Sequence, residues 1–136
     1  MTTAYILSQL VTKAIDWKTF GIWVDTEGHL SSIVRRVKKS DRVGLRRDYE
    51  LAVYQDEKGA LEALGDFLVA SGLSRPYYYF NEKTGVWALK VYRIDDIEKI
   101  VEMIEPFILT RKKQEQIAKF RKFRTERYKR FSREAA

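Results

Sequence analysis

The chain has 136 residues, a formal net charge of +7, no cysteine, and 45% apolar residues, with 13% of all residues aromatic. That length suits one domain with a single core, and the apolar content argues against disorder. Without cysteine there are no disulfides and no thiolate zinc site. No apolar run reaches membrane-spanning length and the N-terminus lacks signal-peptide zones, so a soluble, intracellular, cytoplasmic protein is expected. The 33% charged content and single asparagine are compatible with a thermophilic source.

The charge is unevenly spread. Residues 111–136 carry 11 Lys/Arg against 3 Glu, whereas residues 1–110 carry 15 Lys/Arg against 16 Asp/Glu. A concentrated basic surface suits a polyanion, most often nucleic acid; a helix whose basic face is merely solvated is the competing reading.

In chain order, Ala4, Ile6, Leu7, Leu10, Val11, Ala14 and Ile15 are spaced as in a helix over residues 4–15. Asp16 is an N-cap for a second helix ending at Gly28. Trp17, Phe20, Trp23 and Val24 mark one of its faces. Gly21 leaves a gap where a second backbone could approach; otherwise it is a glycine tolerated in a core helix at roughly 1 kcal/mol against alanine. Asp25 and Glu27 stand at the C-terminal end, where the macrodipole is already negative and folding gains nothing from a carboxylate. A divalent cation would reverse that balance, taking a carboxylate and a backbone carbonyl as hard oxygen ligands. The stretch is therefore either a frayed helix end or a metal site.

From His29 to Lys39 alternation takes over, with Leu30, Ser32 and Val34 on one side and Ser31, Ile33 and Arg35 on the other, and predicts a strand. Arg36, Lys38, Lys39, Arg42 and Gly44 form a basic connection to a second strand, Leu45 to Tyr54. Leu45, Tyr49, Leu51 and Val53 face a core there, leaving Arg46, Asp48 and Glu50 on an open face. Such a mixture of donors and acceptors can read base edges, whereas a purely basic face would only grip phosphates. Asp56 opens a helix with Leu61, Leu64, Phe67 and Leu68 as its apolar stripe and Gly72 as its stop. Arg75 to Phe80 and Val86 to Tyr92 make a hairpin over Asn81–Gly85, with Trp87, Leu89 and Val91 inward and Ala88, Lys90 and Tyr92 outward. Of Tyr77, Tyr78 and Tyr79, at least one reaches the open face whichever way the parity falls. A helix after Asp95 carries Ile97, Ile100, Val101 and Ile104 up to Pro106. A last helix runs from about Thr110 to Phe131. The class is α+β: an antiparallel four-stranded sheet with helices on one face, αββαββα, in one domain over residues 1–136 with a basic C-terminal helix at about 110–132.

Phe20-Gly21-Ile22-Trp23-Val24-Asp25-Thr26-Glu27-Gly28 resembles the nine-residue motif of the LAGLIDADG homing endonucleases, with Asp25 in the sixth place, Glu27 in the eighth and Gly28 last. The resemblance covers most of the chain. It takes in the strand pair, the Val53-Tyr54-Gln55 element, the Leu-rich helix, the second hairpin and the Pro106–Lys113 segment before the final helix. It departs in the third place, where Ile22 stands for the usual glycine, and in the eighth, where many members have aspartate.

The resemblance implies a single-motif, homodimeric, archaeal intron-encoded type of enzyme. Its activity would be site-specific double-strand DNA cleavage, hydrolysing phosphodiesters with Mg²⁺ or another divalent cation such as Mn²⁺, on a palindromic or pseudo-palindromic target. Glu27 is then the metal ligand, joined by the Thr26 carbonyl. Gln55 orients water, and Arg111, with Lys113 as its alternate, steadies charge on the phosphate; Lys58 is a weaker second candidate. One motif per chain implies a two-fold dimer, joined through Phe20, Gly21, Trp23 and Val24. The open sheet face would lie in the major groove through Arg35, Arg46, Asp48, Glu50, Arg75, Tyr77, Tyr79 and Lys90, with Arg36, Lys38 and Lys39 on phosphates.

Asp25 reads as a structural neighbour of the site and His29 as an incidental polar residue. Trp17, Trp23 and Trp87 read as core or dimer contacts. The tail with Phe120, Phe123, Tyr128 and Phe131 either binds DNA or packs its apolar face on the body. Two other functions compete: a non-cleaving nucleic-acid binder on the same fold (an intron RNA maturase or a regulator), and an unrelated basic RNA-binding module that uses its exposed tyrosines.

Overall fold

The computed structural model describes residues 15–39 and 42–135, with side-chain surroundings for 15–36 and 44–127. The helix expected over residues 4–15 lies outside them except for Ile15, which packs against the core. Asp16 caps α1 (Trp17–Glu27) as expected, its carboxylate accepting the Thr19 N–H at 2.7 Å. The helix passes into β1 (Gly28–Lys39) with no loop between them. Gly28 does not serve a left-handed turn, because its φ is −104°. It serves a close approach: a Cβ there would stand 2.6 Å from the Val24 carbonyl oxygen, a backbone atom that cannot swing aside.

β2 (Arg42–Gln55) pairs with β1 from Gly28↔Val53 to Lys39↔Arg42. The basic stretch expected as a connection is therefore largely ladder, with Arg36 opposite Leu45 and Val37 opposite Gly44. β4 (Val86–Val91) joins the other edge of β2, but only over Leu51–Gln55, and β3 (Tyr77–Asn81) lies outside β4. The sheet is antiparallel throughout, in the order β1-β2-β4-β3. Beyond Leu51 the first half of β2 has a strand on one side only, so the β1–β2 pair runs on as a two-stranded ribbon.

The remaining elements are α2 (Lys58–Ala70), α3 (Ile94–Ile104), a 3₁₀ turn (Glu105–Phe107) and α4 (Arg111–Ala135). Two helix starts differ from expectation. The cap position of α2 is Glu57, not Asp56, and it makes no side-chain cap bond; the Asp56 N–H donates to Gln55 Oε1 at 2.9 Å. α3 begins before Asp95, which places Asp95 and Asp96 in its first turn, where the positive helix end favours them. Gly72 and Gly85 do hold left-handed turns, at φ +89° and +70°.

The alternation in β2 and β4 sorts as read. Tyr49, Leu51, Val53, Leu89 and Val91 are buried beneath the helices, with Phe20, Leu61, Leu64, Ile97, Ile100, Ile104 and Phe120. Leu45 has the core parity yet is 75% exposed, since it lies on the ribbon where no helix covers it. α4 packs its apolar side on β2, with the Tyr49 ring 5.1 Å from Phe120 and 4.9 Å from Phe123. Its basic residues meanwhile pair with carboxylates: Arg121 with Glu105, and Arg124 with Asp95 and Glu98. Of the two readings of the tail, packing holds over its described part; the side chains of Tyr128 and Phe131 lie outside the described residues. No helix among the described residues is long and apolar enough to cross a membrane.

Candidate metal-binding end and nucleic-acid face

Two acids two residues apart on α1 have opposite surroundings. Asp25 is 8% exposed. Its Oδ1 accepts the Thr110 N–H at 3.1 Å and the Thr110 hydroxyl at 2.7 Å, and its Oδ2 accepts the Leu109 N–H at 3.1 Å. These donors form the start of α4, so an acid at the wrong end of its own helix sits at the right end of another. Burial pushes its carboxyl up, but the bonds from Thr110 and Leu109, with Lys113 nearby, outweigh burial and hold it below the usual aspartate range. Asp25 is the structural neighbour that the sequence suggested.

Glu27, by contrast, is exposed at the end of α1. The Thr26 hydroxyl bonds back to the Ile22 carbonyl at 2.8 Å. Its own carbonyl belongs to the last turn, where helical donors run out. The Asp25 link brings the first turn of α4, with Arg111 and Lys113, to this end of α1. Arg111 is almost fully solvated, with Glu115 at 3.3 Å one turn on. Lys113 is partly covered, and burial, then Lys112, lowers its pKa against the opposing pull of Asp25.

The register Gly28↔Val53 puts Gln55 two residues beyond the last β1–β2 pair, at the end of the sheet where α1 meets β1. Its Oε1 is engaged with Asp56. Lys58 instead lies over the Trp87 ring at 4.7 Å. Among the described residues no three His, Asp or Glu side chains come together as a metal cluster.

The dimer residues named from the motif fall on two sides. Phe20 and Val24 are 0% and 3% exposed inside the chain's own core, and Gly21 lies under Ile104 and Phe107, whose Cβ atoms would be 3.3 Å and 3.1 Å from a Cβ placed there. These three are covered by their own subunit. The outward face of α1 is instead Ile22, 48% exposed, with Thr26 one turn on and Trp23 half-buried. Sequence reasoning also missed Gln116 of α4. Its Oε1 accepts the Leu30 N–H at 3.0 Å and its amide nitrogen lies 3.2 Å from His29 Nδ1, so His29 has a structural partner.

On the uncovered face the ladder aligns Arg35 with Arg46, Ser31 with Glu50, and Tyr77 with Lys90. Lys90 bonds Glu50 at 2.9 Å and lies 5.3 Å from the Tyr79 ring centroid. The bond that Lys90 donates to Glu50 raises the lysine's pKa despite burial. Tyr77 packs against Tyr79 and Tyr92, and Arg35 stacks over Tyr92 at 4.6 Å. Tyr92 and the exposed Tyr54 join this face without having been named as contacts. Asp48 departs from its expected role: it is only 4% exposed, between Arg46 at 3.1 Å and Arg127 at 3.4 Å. It holds those guanidiniums in place and does not present its own oxygens. Arg36 is exposed; the side chains of Lys38 and Lys39 lie outside the described residues.

No protein-family model and no curated protein matches the chain. Solved structures do. The homing endonuclease I-TnaI aligns at TM-score 0.62 and 24% identity, over 79% of this chain and 70% of that one. The archaeal intron-encoded homing endonuclease I-Vdi141I, complexed with DNA, aligns at 0.57 and 18%, over 78% and 64%. The LAGLIDADG meganuclease I-CpaMI, bound to uncleaved DNA, aligns at 0.62 and 18%, over 80% of this chain and 37% of that one. The chain thus spans between about a third and somewhat over two thirds of these proteins. With the strand order and the helix-to-strand junction at Gly28, these similarities establish that the chain has the LAGLIDADG homing-endonuclease fold.

Proposed function

We propose that this chain is a single-motif LAGLIDADG endonuclease that acts as a homodimer and cuts both strands of a palindromic or near-palindromic DNA site with Mg²⁺. The observation that carries the reading is the contrast at the end of α1. Asp25 is consumed by structure, while Glu27, two residues on, is left exposed beside the first turn of α4 and the margin of an uncovered sheet face.

The donor set fits a hard cation: the Glu27 carboxylate and the Thr26 carbonyl are oxygens of the kind Mg²⁺ takes. One carboxylate per chain leaves most of the shell to water, to phosphate oxygens and to the partner subunit's Glu27. When bound, the cation would polarise the phosphoryl oxygen and acidify water. The chain's own groups do the rest. Gln55, its Oε1 held by Asp56, keeps an amide nitrogen to donate to water. Arg111 and Lys113 supply positive charge where the phosphate becomes more negative. Ile22, Trp23 and Thr26 meet the second copy of α1, with Phe20, Gly21 and Val24 supporting them from beneath.

The test is Glu27→Gln, assayed on a library of palindromic duplexes with Mg²⁺. Cleavage is expected to fall at least about a thousandfold, the loss of several kcal/mol of metal-borne stabilisation, while binding is retained. Cleavage at the wild-type rate overturns the assignment. Sedimentation checks the assembly separately, since a monomer that makes double-strand breaks contradicts the symmetric arrangement.

A further inference from the structure

Resting on that reading, we infer that the far end of the sheet carries a built phosphate site, formed by Arg35, Arg75 and Arg93 and aimed at the backbone of the bound duplex. The three border one cleft of about 570 Å³, which opens where β4 stops short of the first half of β2 and runs from the sheet face onto the start of α3. Most other charges in the cleft are already matched. Asp48 has Arg46 and Arg127, Asp95 has Arg124 and Lys90 has Glu50, while the buried Asp96 receives only a long bond, 3.4 Å, from the Ser74 N–H. Among the described residues no carboxylate pairs with Arg35, Arg75 or Arg93. Arg93 is instead steered by the Ser74 hydroxyl at 3.3 Å, and Arg35 by the Tyr92 ring.

Three exposed guanidiniums border one opening, and their planar forks suit phosphate oxygens. The start of α3 adds little, because Asp95 and Asp96 occupy its first turn. A duplex phosphate fits better than a free one for a geometric reason. Along β2 the cleft lies seven residues from Gln55, about 23 Å at ~3.3 Å per residue, or roughly seven base pairs at ~3.4 Å each. A duplex lying on the sheet with a scissile phosphate at Glu27 reaches that far within one turn. Arg93, from the helical layer, would then contact the backbone from beyond the sheet edge.

The experiment compares the salt dependence of binding to a duplex of about 30 base pairs for the wild type, the Arg75→Gln/Arg93→Gln double variant and the Arg75→Lys/Arg93→Lys control. The Gln pair is expected to flatten the slope of log K against log salt by one to two, and the Lys pair to keep it, because each phosphate neutralised contributes about 0.9. Amide shifts at Ser74 and Arg75 on adding inorganic phosphate, against chloride of equal ionic strength, read the cleft without DNA. A wild type that binds duplex with a slope the Gln pair leaves unchanged overturns the inference and spares the nuclease reading. A wild type that binds no duplex but shifts with phosphate overturns that reading and leaves a site for free phosphate. If neither occurs, both fall.

Discussion

Two points along α4, its start and Arg127, each hold an acid of another element, and they do so by different means. Near its start, Asp25 of α1 is gripped by two backbone amides and a hydroxyl at Leu109 and Thr110. Seventeen residues on, about 25 Å along a helix, Asp48 of β2 is held by the flexible side chain of Arg127. Backbone donors have no rotamers to search, so the first junction is fixed as soon as α4 forms. A guanidinium on a long stem can shift with its partner. On the proposed function, the backbone-held junction lies beside the Glu27 end, where chemistry needs fixed geometry, and the side-chain-held one lies on the face offered to bases.

Phe120 is 1% exposed and lies against Tyr49 between the two junctions. Phe120→Ala should destabilise the fold by about 3–5 kcal/mol, read by thermal denaturation, and a loss below 1 kcal/mol would show that α4 is not packed as described.

Asp25→Asn tests the backbone-held junction alone. It should cost about 1–3 kcal/mol, since it weakens three bonds to a buried group. Because folding lowers the Asp25 pKa, its contribution is complete above the ordinary aspartate value and is lost as pH falls through the lower, folded one. The wild type should therefore lose its advantage over the variant in the acid limb, and a stability gap constant down to pH 2 contradicts the assignment. Cleavage should also fall, through a displaced Arg111 and Lys113.

The smallest effect is expected at the side-chain-held junction. Arg127→Gln should change stability by about 1–2 kcal/mol, since the buried Asp48 loses one charged partner but keeps Arg46 beside it. If Arg46 reads a base as proposed, the variant should nonetheless relax sequence preference at one position of each half-site, measured by binding selection from a randomised duplex pool. Unchanged preference would leave Asp48 without a positioning role.

What the sequence disclosed follows the same division. Local signals were readable: the Asp16 cap, the parity of β2 and β4, the stripes of α2 and α3, and hence the sheet with one face open. Contacts between distant elements were not. An acid at a helix C-terminus looked unexplained because Thr110, its partner, is 85 residues away. Asp48 had the spacing of an outward-facing reader, but Arg127 lies 79 residues later and closes over it. Phe20, Gly21 and Val24 look like partner contacts from the motif alone, because a motif names positions on a helix without saying which side the chain's own Ile104 and Phe107 cover. Gln116 carried no signal, since a glutamine in a basic helix looks like any solvated one.

The join at Gly28 has a mechanical consequence. With no spare residue between α1 and β1, helix and ribbon turn as one lever whose arm, twelve residues long, extends about 40 Å at ~3.3 Å each. In a dimer hinged on α1, a change of about five degrees in the crossing angle shifts the two ribbon tips by some 3.5 Å relative to one another, close to the ~3.4 Å rise of one base pair. The spacing between half-sites would then be geared to how two short helices cross, and Ile22, rather than any residue that touches a base, would tune it.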